Sequence, residues 1–408
     1  MATRPAPQQA STEVTGTQLR RLAVEVLSEQ LPLVVDGDRY TTADVYAVLL
    51  AAAVQQRSVE SVCQQLVDAP SANAIRYHVV EQVVYREELD TLEAQCNAAL
   101  VAKLPDDVVQ RPQRVAIDLT LLPYYGRPAA EAGELRRGEA KAGTTRFHAY
   151  ATAYLVRDGR RVTLALTYVR AQDELLDVLF DLLARVQRLG VAIERLYLDR
   201  EFATVAILAT LQQQPFPSIV ALPKRGQRLK ALLHGRTSFT TTYTMESATA
   251  GAVTFPLWVA CHYAAGRASK HGPQHGIEYQ PFAVVGPLPA PLTVRRVACE
   301  YRQRFGIESS YRLLHQVRAR TTSRSPAWRL LLVSLACLLV NLWVWLKATL
   351  VLCAAQSARR AARQWVDATL RLDAWRDLLR EAILTDYGVR DRLAFPFPLA
   401  SVTRFAEY

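Results

Sequence analysis

The sequence has no CxxC pair, no apolar run near its N-terminus and no internal repeat. Its six cysteines (Cys63, Cys96, Cys261, Cys299, Cys337 and Cys353) are scattered along the chain. That spacing excludes a zinc ribbon and a disulfide framework, and fits reduced, mostly buried thiols. His262, His271 and His275 have no cysteine pair beside them, so nothing there has the spacing of a structural zinc site. The opening MATRPAPQQASTEVTGTQ is polar and lacks the apolar core of a signal peptide. Negative charge is also short: 38 Asp and Glu stand against 49 Lys and Arg, a formal net charge of +11. That balance favours an acidic polymer as partner, most simply nucleic acid. Hydrophobic residues make up 50% of the chain, which excludes a disordered protein. At 408 residues the chain exceeds one compact core, and two or three structural units are expected.

One long apolar run is present, LLLVSLACLLVNLWVWLKATLVLC at 330–353. It has the length of a membrane span, but Asn341 and Lys347 interrupt it and Arg329 abuts it. The expectation is a core helix, with no membrane involved. Residues 1–18 read as a disordered leader and 19–105 as a helical domain. Within that domain SVESVCQQL, the break VDAPS and ANAIRYHVVEQV have the dimensions of a helix-turn-helix; a plain helical bundle fits equally well. From 110 the texture changes. RVAIDLTLL (114–122) is a short β-branched strand, 127–145 a polar loop, and 147–169 two strands joined at DGR. A helix over 173–190 stopped by Gly190, the strand RLYLD, a helix and the strand SIVALP follow. This is α/β: a mixed sheet flanked by helices over 110–234. Residues 235–292 read as a β-rich insertion, 293–353 as the last, helical part of the core, and 354–408 as a C-terminal helical region.

Three acids occupy special places. Asp118 lies at or near the end of the first strand, and Asp199 ends the strand LYLD, where α/β sheets present functional groups. A strand-end cap or turn explains either one taken alone. Glu308 is the only acid in YRQRFGIESSYRLLHQVRARTTSRS (301–325), among six arginines. On one ideal helix at 100° per residue, Tyr301, Arg304, Glu308, Arg312 and His315 share a stripe about 80° wide, and Ile307, Tyr311 and Leu314 form a more apolar neighbour. Two strand-end aspartates and a helical glutamate supply the hard oxygen ligands of Mg²⁺ or Mn²⁺. Two such ions can activate a water or a 3′-hydroxyl and stabilise the leaving oxygen of a phosphodiester. The surrounding arginines suit phosphates. PKRGQRLK (223–230), with Lys224 and Arg225, fits a segment tracking a DNA backbone or an ordinary solvated loop.

These residues resemble the DDE transposases of bacterial and archaeal insertion sequences, in the class with a Tyr-x2-Arg-x3-Glu-x6-Lys signature. Tyr301, Arg304 and Glu308 match its first three positions, and His315 stands at the lysine position. Asp118 in IDLT and Asp199 in LDREF match the two aspartates. The resemblance covers about 110–350. It implies an RNase H-like core with a β-rich insertion between the second Asp and the Glu, and a metal-binding catalytic triad of Asp118, Asp199 and Glu308 holding two ions. It further implies contacts of Arg304 with DNA phosphate, supported by Tyr301, with Arg312, His315 or Arg318 nearby. Glu201 and Glu300 flank triad members without matching them, and Phe305 fits either core packing or base stacking. The implied activity is cleavage of inverted-repeat ends and joining of their 3′-hydroxyls to target DNA. The implied partner is double-stranded DNA, bound by a homodimer in the cytoplasm of a prokaryotic cell. A metal-dependent nuclease without strand transfer, and an inactive DNA-binding relic, use the same residues.

Overall fold

The computed structural model describes residues 13–35, 38–84, 89–105, 107–126, 134–156, 162–263, 277–288, 292–304 and 306–391, with backbone alone at 84 and 306–310. The first described segments are helical: α1 (Gly16–Gln30), α2 (Thr42–Val54), α3 (Val59–Gln65), α4 (Ala72–Val79) and α5 (Leu89–Val101). Their starts follow from local chemistry. The Thr15 hydroxyl accepts from Gln18 N at 3.3 Å while Thr15 N donates to the Gln18 side chain at 2.9 Å, a reciprocal cap that begins α1 inside the segment read as a leader. Ser58 and Ser71 cap α3 and α4 by accepting from Ser61 N and Ala74 N, each at 3.2 Å. Every residue of α2 from Val45 to Val54 is buried, as its run of Ala, Leu and Val requires.

A short turn, α6 (Asp107–Gln110), leads into β1 (Gln113–Pro123), β2 (Arg136–Lys141), β3 (Thr144–Leu155) and β4 (Thr163–Val169). The sequence reading placed a loop at 127–145; the structure has β2 there, paired antiparallel with β3. The turn DGR lies outside the described residues. Helix α7 (Leu175–Arg188) ends at Gly190, whose φ of 75° is the left-handed conformation that stops a helix. Then come β5 (Ile193–Leu198), α8 (Val205–Leu211) and β6 (Ser218–Ala221). Strands β1, β3 and β4 pair antiparallel, whereas β5 joins β1 in parallel and β6 joins β5 in parallel. The sheet is therefore mixed, with helices packed on it.

After α9 (Gln227–Leu232) come β7 (Phe239–Ser247), β8 (Gly251–Tyr263) and β9 (Ile277–Val285). These strands, read from sequence as an insertion, continue the main sheet: β9 pairs antiparallel with β6, giving the order β2-β3-β1-β5-β6-β9-β8-β7 with β4 also on β3. His271 and His275 lie outside the described residues.

The chain ends in helices α10 (Val294–Arg304), α11 (Gly306–Gln316), α12 (Pro326–Cys353), α13 (Arg359–Thr369) and α14 (Leu372–Tyr387). The run read as one helix from 301 to 315 is helical on both sides of Phe305, which lies outside the described residues. Helix α12 is long and apolar enough to cross a membrane by length and composition, yet 83% of its most apolar window is buried inside the protein. It shares one core with the N-terminal and C-terminal helices, for example Leu50, Leu100, Leu339 and Trp375. Both polar interruptions have partners. The Asn341 amide donates to Leu100 O and Thr163 O and its oxygen accepts from Thr163 N, tying α12 to α5 and β4. Lys347 pairs with Asp367 at 2.6 Å. One sheet face packs on α7 and α8, and the other on α10 through Ala116, Tyr197, Phe282, Val297 and Tyr301.

Candidate active site

Asp118 lies inside β1 and not at its end, which corrects the sequence reading, because β1 runs on to Pro123. Its position is nonetheless special. The parallel pairing of β1 with β5 stops at Ile117 opposite Leu198. Asp118 and Asp199 are the next residues on their strands, so the sheet sets the two acids side by side. Asp199 opens the 3₁₀ turn Arg200–Phe202, with its carbonyl accepting from Phe202 N at 3.0 Å.

Arg304, at the end of α10, joins the pair. Its Nη1 is 3.4 Å from Asp118 Oδ2 and its Nη2 is 3.3 Å from Asp199 Oδ1. The guanidinium is only 4% exposed and lies 4.9 Å over the ring of Tyr301. Tyr301 is buried as well, and its hydroxyl donates to Leu198 O at 3.2 Å and lies 3.4 Å from Asp199 Oδ1. The sequence reading placed Arg304 on DNA phosphate; the structure turns it onto the two acids. Burial pushes the Asp118 carboxyl up to about 7; the Arg304 charge and the Leu119 N–H work against this, and Asp199 and Glu201 add to it. Two carboxylates with a single shared guanidinium make a site that favours additional positive charge.

Tyr311 was missed as a site residue because its position on the projection is apolar. From α11 its hydroxyl meets Thr152 Oγ1 at 2.9 Å and donates to Asp118 O at 3.2 Å. This contact fixes α11 against β1 beside Asp118. Glu308 lies on α11 three residues, or about one turn, before Tyr311. Its side chain is outside the described residues. Among the described residues, no group of three or more His, Cys, Asp or Glu side chains gathers to hold a metal ion.

The remaining cations divide by exposure. Arg312 and His315 are exposed on α11, whereas Tyr301 and Arg304 are buried on α10, so the residues expected to share one stripe differ in exposure. Lys224 and Arg225 are exposed in the loop between β6 and α9. Arg318 is half-buried after α11, near Tyr150 and Arg329. Of the two flanking acids, Glu300 is engaged elsewhere. Glu300 is buried and accepts from Arg195 and the Tyr197 hydroxyl at 2.5 Å each, and from Arg296 at 3.0 Å. Glu201 is exposed on the turn after Asp199.

No protein-family model and no curated protein matches the sequence. Among solved structures, the chain is similar to a piggyBac transposase, in a cryo-EM structure of its synaptic complex with hairpin DNA, at 11% identity. The match covers 98% of this chain and 90% of that one with a TM-score of 0.51, so the likeness is one of fold. The chain has a transposase-like fold, a mixed sheet with flanking helices, whose paired strands carry Asp118 and Asp199 side by side.

Proposed function

We propose that this protein is a DNA transposase of the DDE type, which binds the terminal inverted repeats of an insertion sequence, cleaves the DNA ends and joins their 3′-hydroxyls to target DNA. The observation that carries this reading is the placement of Asp118 and Asp199 on adjacent parallel strands beneath α11, the helix that bears Glu308. The antiparallel meander β1, β3, β4, followed by the parallel strands β5 and β6, supports an RNase H-like core. The fold likeness to a transposase in complex with DNA supports the partner.

The donor set suits a hard divalent cation: two carboxylates partly open to solvent, with side chains 15% and 29% exposed. Asp118, Asp199 and Glu308 would hold Mg²⁺ or Mn²⁺. Two such ions, when bound, would supply an activated water or 3′-hydroxyl and charge stabilisation of the leaving oxygen. The protein's own groups do the rest. Asp118 must give up a proton that it holds up to about pH 7. Arg304 balances the two acids, and Tyr301 keeps its guanidinium in place by stacking. Tyr311 and Thr152 hold α11 at the acid pair. Arg312, His315, Lys224 and Arg225, all exposed, would meet the backbone of double-stranded DNA. A dimer assembled on DNA would pair two ends, in the cytoplasm of a prokaryotic cell.

The test uses pre-cleaved inverted-repeat ends, a target plasmid and Mg²⁺, with joined products read on a gel. Joining by the wild-type chain, reduced at least about a hundredfold in Glu308→Gln, is expected. Full-rate joining by that variant would sink the site assignment. Hydrolysis that never proceeds to joining would make the protein a nuclease without strand transfer.

A further inference from the structure

A second site lies beyond Asp118 along β1. From Asp118 to Leu122 the strand covers roughly 13 Å. There it opens on a pocket of about 1090 Å³ between the N-terminal helices and the start of α12. The walls include Tyr124, Tyr125, Arg318, Arg320, Trp328 and Arg329. The active-site chemistry proposed above uses none of these wall residues.

Its charge is unbalanced. Neither Arg318 nor Arg329 forms an ion pair with a carboxylate among the described residues, although burial has removed both from most of the solvent. Arg329 is held by backbone: its Nε donates to Ser323 O at 2.7 Å, and its guanidinium lies 5.2 Å over Tyr124. Arg318 Nη1 is buried with no hydrogen-bond partner, and the hydroxyl of the fully buried Tyr150 close to both arginines has none either. Buried polar atoms are almost always satisfied, so two guanidiniums without a carboxylate, one of them with an orphaned N–H, next to one orphaned hydroxyl indicate an absent acceptor. His148 does not add to the charge: burial, with the Arg329 charge, lowers it to about 3, and its Nδ1 sits 3.0 Å from the Tyr168 hydroxyl. At the rim Glu60 and Arg76 neutralise each other. The start of the 28-residue α12, with its positive dipole end, faces the same space through Ser325 and Trp328.

We propose that this pocket binds a nucleotide through a terminal phosphate monoester, with Arg318 and Arg329 as the phosphate clamp and Tyr125 and Trp328 beside the base. Two guanidiniums match the double charge of a monoester better than the single charge of an internal phosphodiester. Tyr125 is 70% exposed and Trp328 lines the same wall, which suits stacking on one unpaired base. On the transposase reading, on which this inference rests, the source is the 5′-phosphorylated end of a DNA strand; a free nucleotide offers the same chemistry.

The experiment measures binding by fluorescence polarisation or calorimetry in EDTA, where no cleavage occurs. The probes are a short single-stranded oligonucleotide with a 5′-phosphate, the same oligonucleotide with a 5′-hydroxyl, and a deoxynucleoside monophosphate. The phosphorylated oligonucleotide is expected to bind about tenfold or more tighter than its hydroxyl counterpart. Arg318→Ala should erase that preference. Should Arg318→Ala fail to fold, Arg320→Glu, an exposed position at the same wall, should erase it too. A monophosphate that matches the oligonucleotide assigns the pocket to free nucleotides, and a weaker one assigns it to strand ends. Equal affinity for the two oligonucleotides, or a preference that survives both substitutions, overturns the pocket. A preference that persists in a protein unable to cleave or join overturns the transposase reading and leaves the pocket standing.

Discussion

Asp118 sits where its charge is costly, and that cost has a measurable sign. Burial raises its carboxyl from an ordinary value of 3.8 to about 7, so between these limits the folded chain keeps a proton the unfolded chain has lost. The stability this group contributes is complete below about pH 4 and is lost as pH rises through 7. Asp118→Asn removes the loss. Without added metal, the variant should melt higher than wild type by roughly 5 °C at pH 8 and by little at pH 5, while losing cleavage. Melting curves that run parallel across that pH range would contradict the burial argument. Glu300 shifts in the opposite direction. Tyr197, Arg296 and Arg195 bond Glu300, and their contacts outweigh its burial to hold its carboxyl below the usual range. Glu300→Ala removes the buried partner of Arg195, leaving it Glu194 at 2.9 Å, and should cost about 3 kcal/mol in urea unfolding. Glu201→Ala, on an exposed turn, should change stability by less than about 0.5 kcal/mol.

At the scale of elements, α12 decides how the chain is held together. Its apolar run was legible at once, and Asn341 and Lys347 stood out as interruptions. What they interrupt it for is a tertiary fact. Asn341 makes three hydrogen bonds to β4 and α5, satisfying backbone groups that an apolar helix would leave buried and alone. Asn341→Leu should lower stability by about 3 kcal/mol, read as a shifted urea midpoint with unchanged slope. A neutral result would mean that water reaches Thr163. The basic helical segment shows a limit of local reading. Tyr301 and Arg304 are buried at the acid pair, whereas Arg312 and His315 are exposed. A projection gives each residue's direction around the axis and not what packs along its length.

At the scale of the molecule, the helices before residue 105 do not hold a core of their own. They share one with α12 and α14, through side chains such as Val26, Leu50, Leu339 and Leu379. The nine-stranded sheet likewise absorbs the strands of 235–292 through β9 on β6. Calorimetry should therefore show the helices and α12 melting in one transition. A chain starting at residue 106 should fail to fold, because α12 would expose the face that α5 covers. A soluble, cooperatively melting fragment would refute the shared core.

Apart from β2, the sequence by itself determined the main order of helices and strands, the two acids at strand positions, and the basic helical segment carrying Glu308. These follow from local periodicity, capping and turn chemistry, which act over a few residues. Only the tertiary structure decided what these residues meet. The parallel pairing that ends at Ile117 and Leu198 aligns Asp118 with Asp199. Arg304 reaches Asp118 across 186 residues of chain, and Tyr311 docks α11 on Asp118. Arg318 and Arg329 come to one pocket wall although neither belonged to a common pattern. Such contacts depend on which apolar faces bury against each other across the whole fold, and no short window of sequence carries that choice.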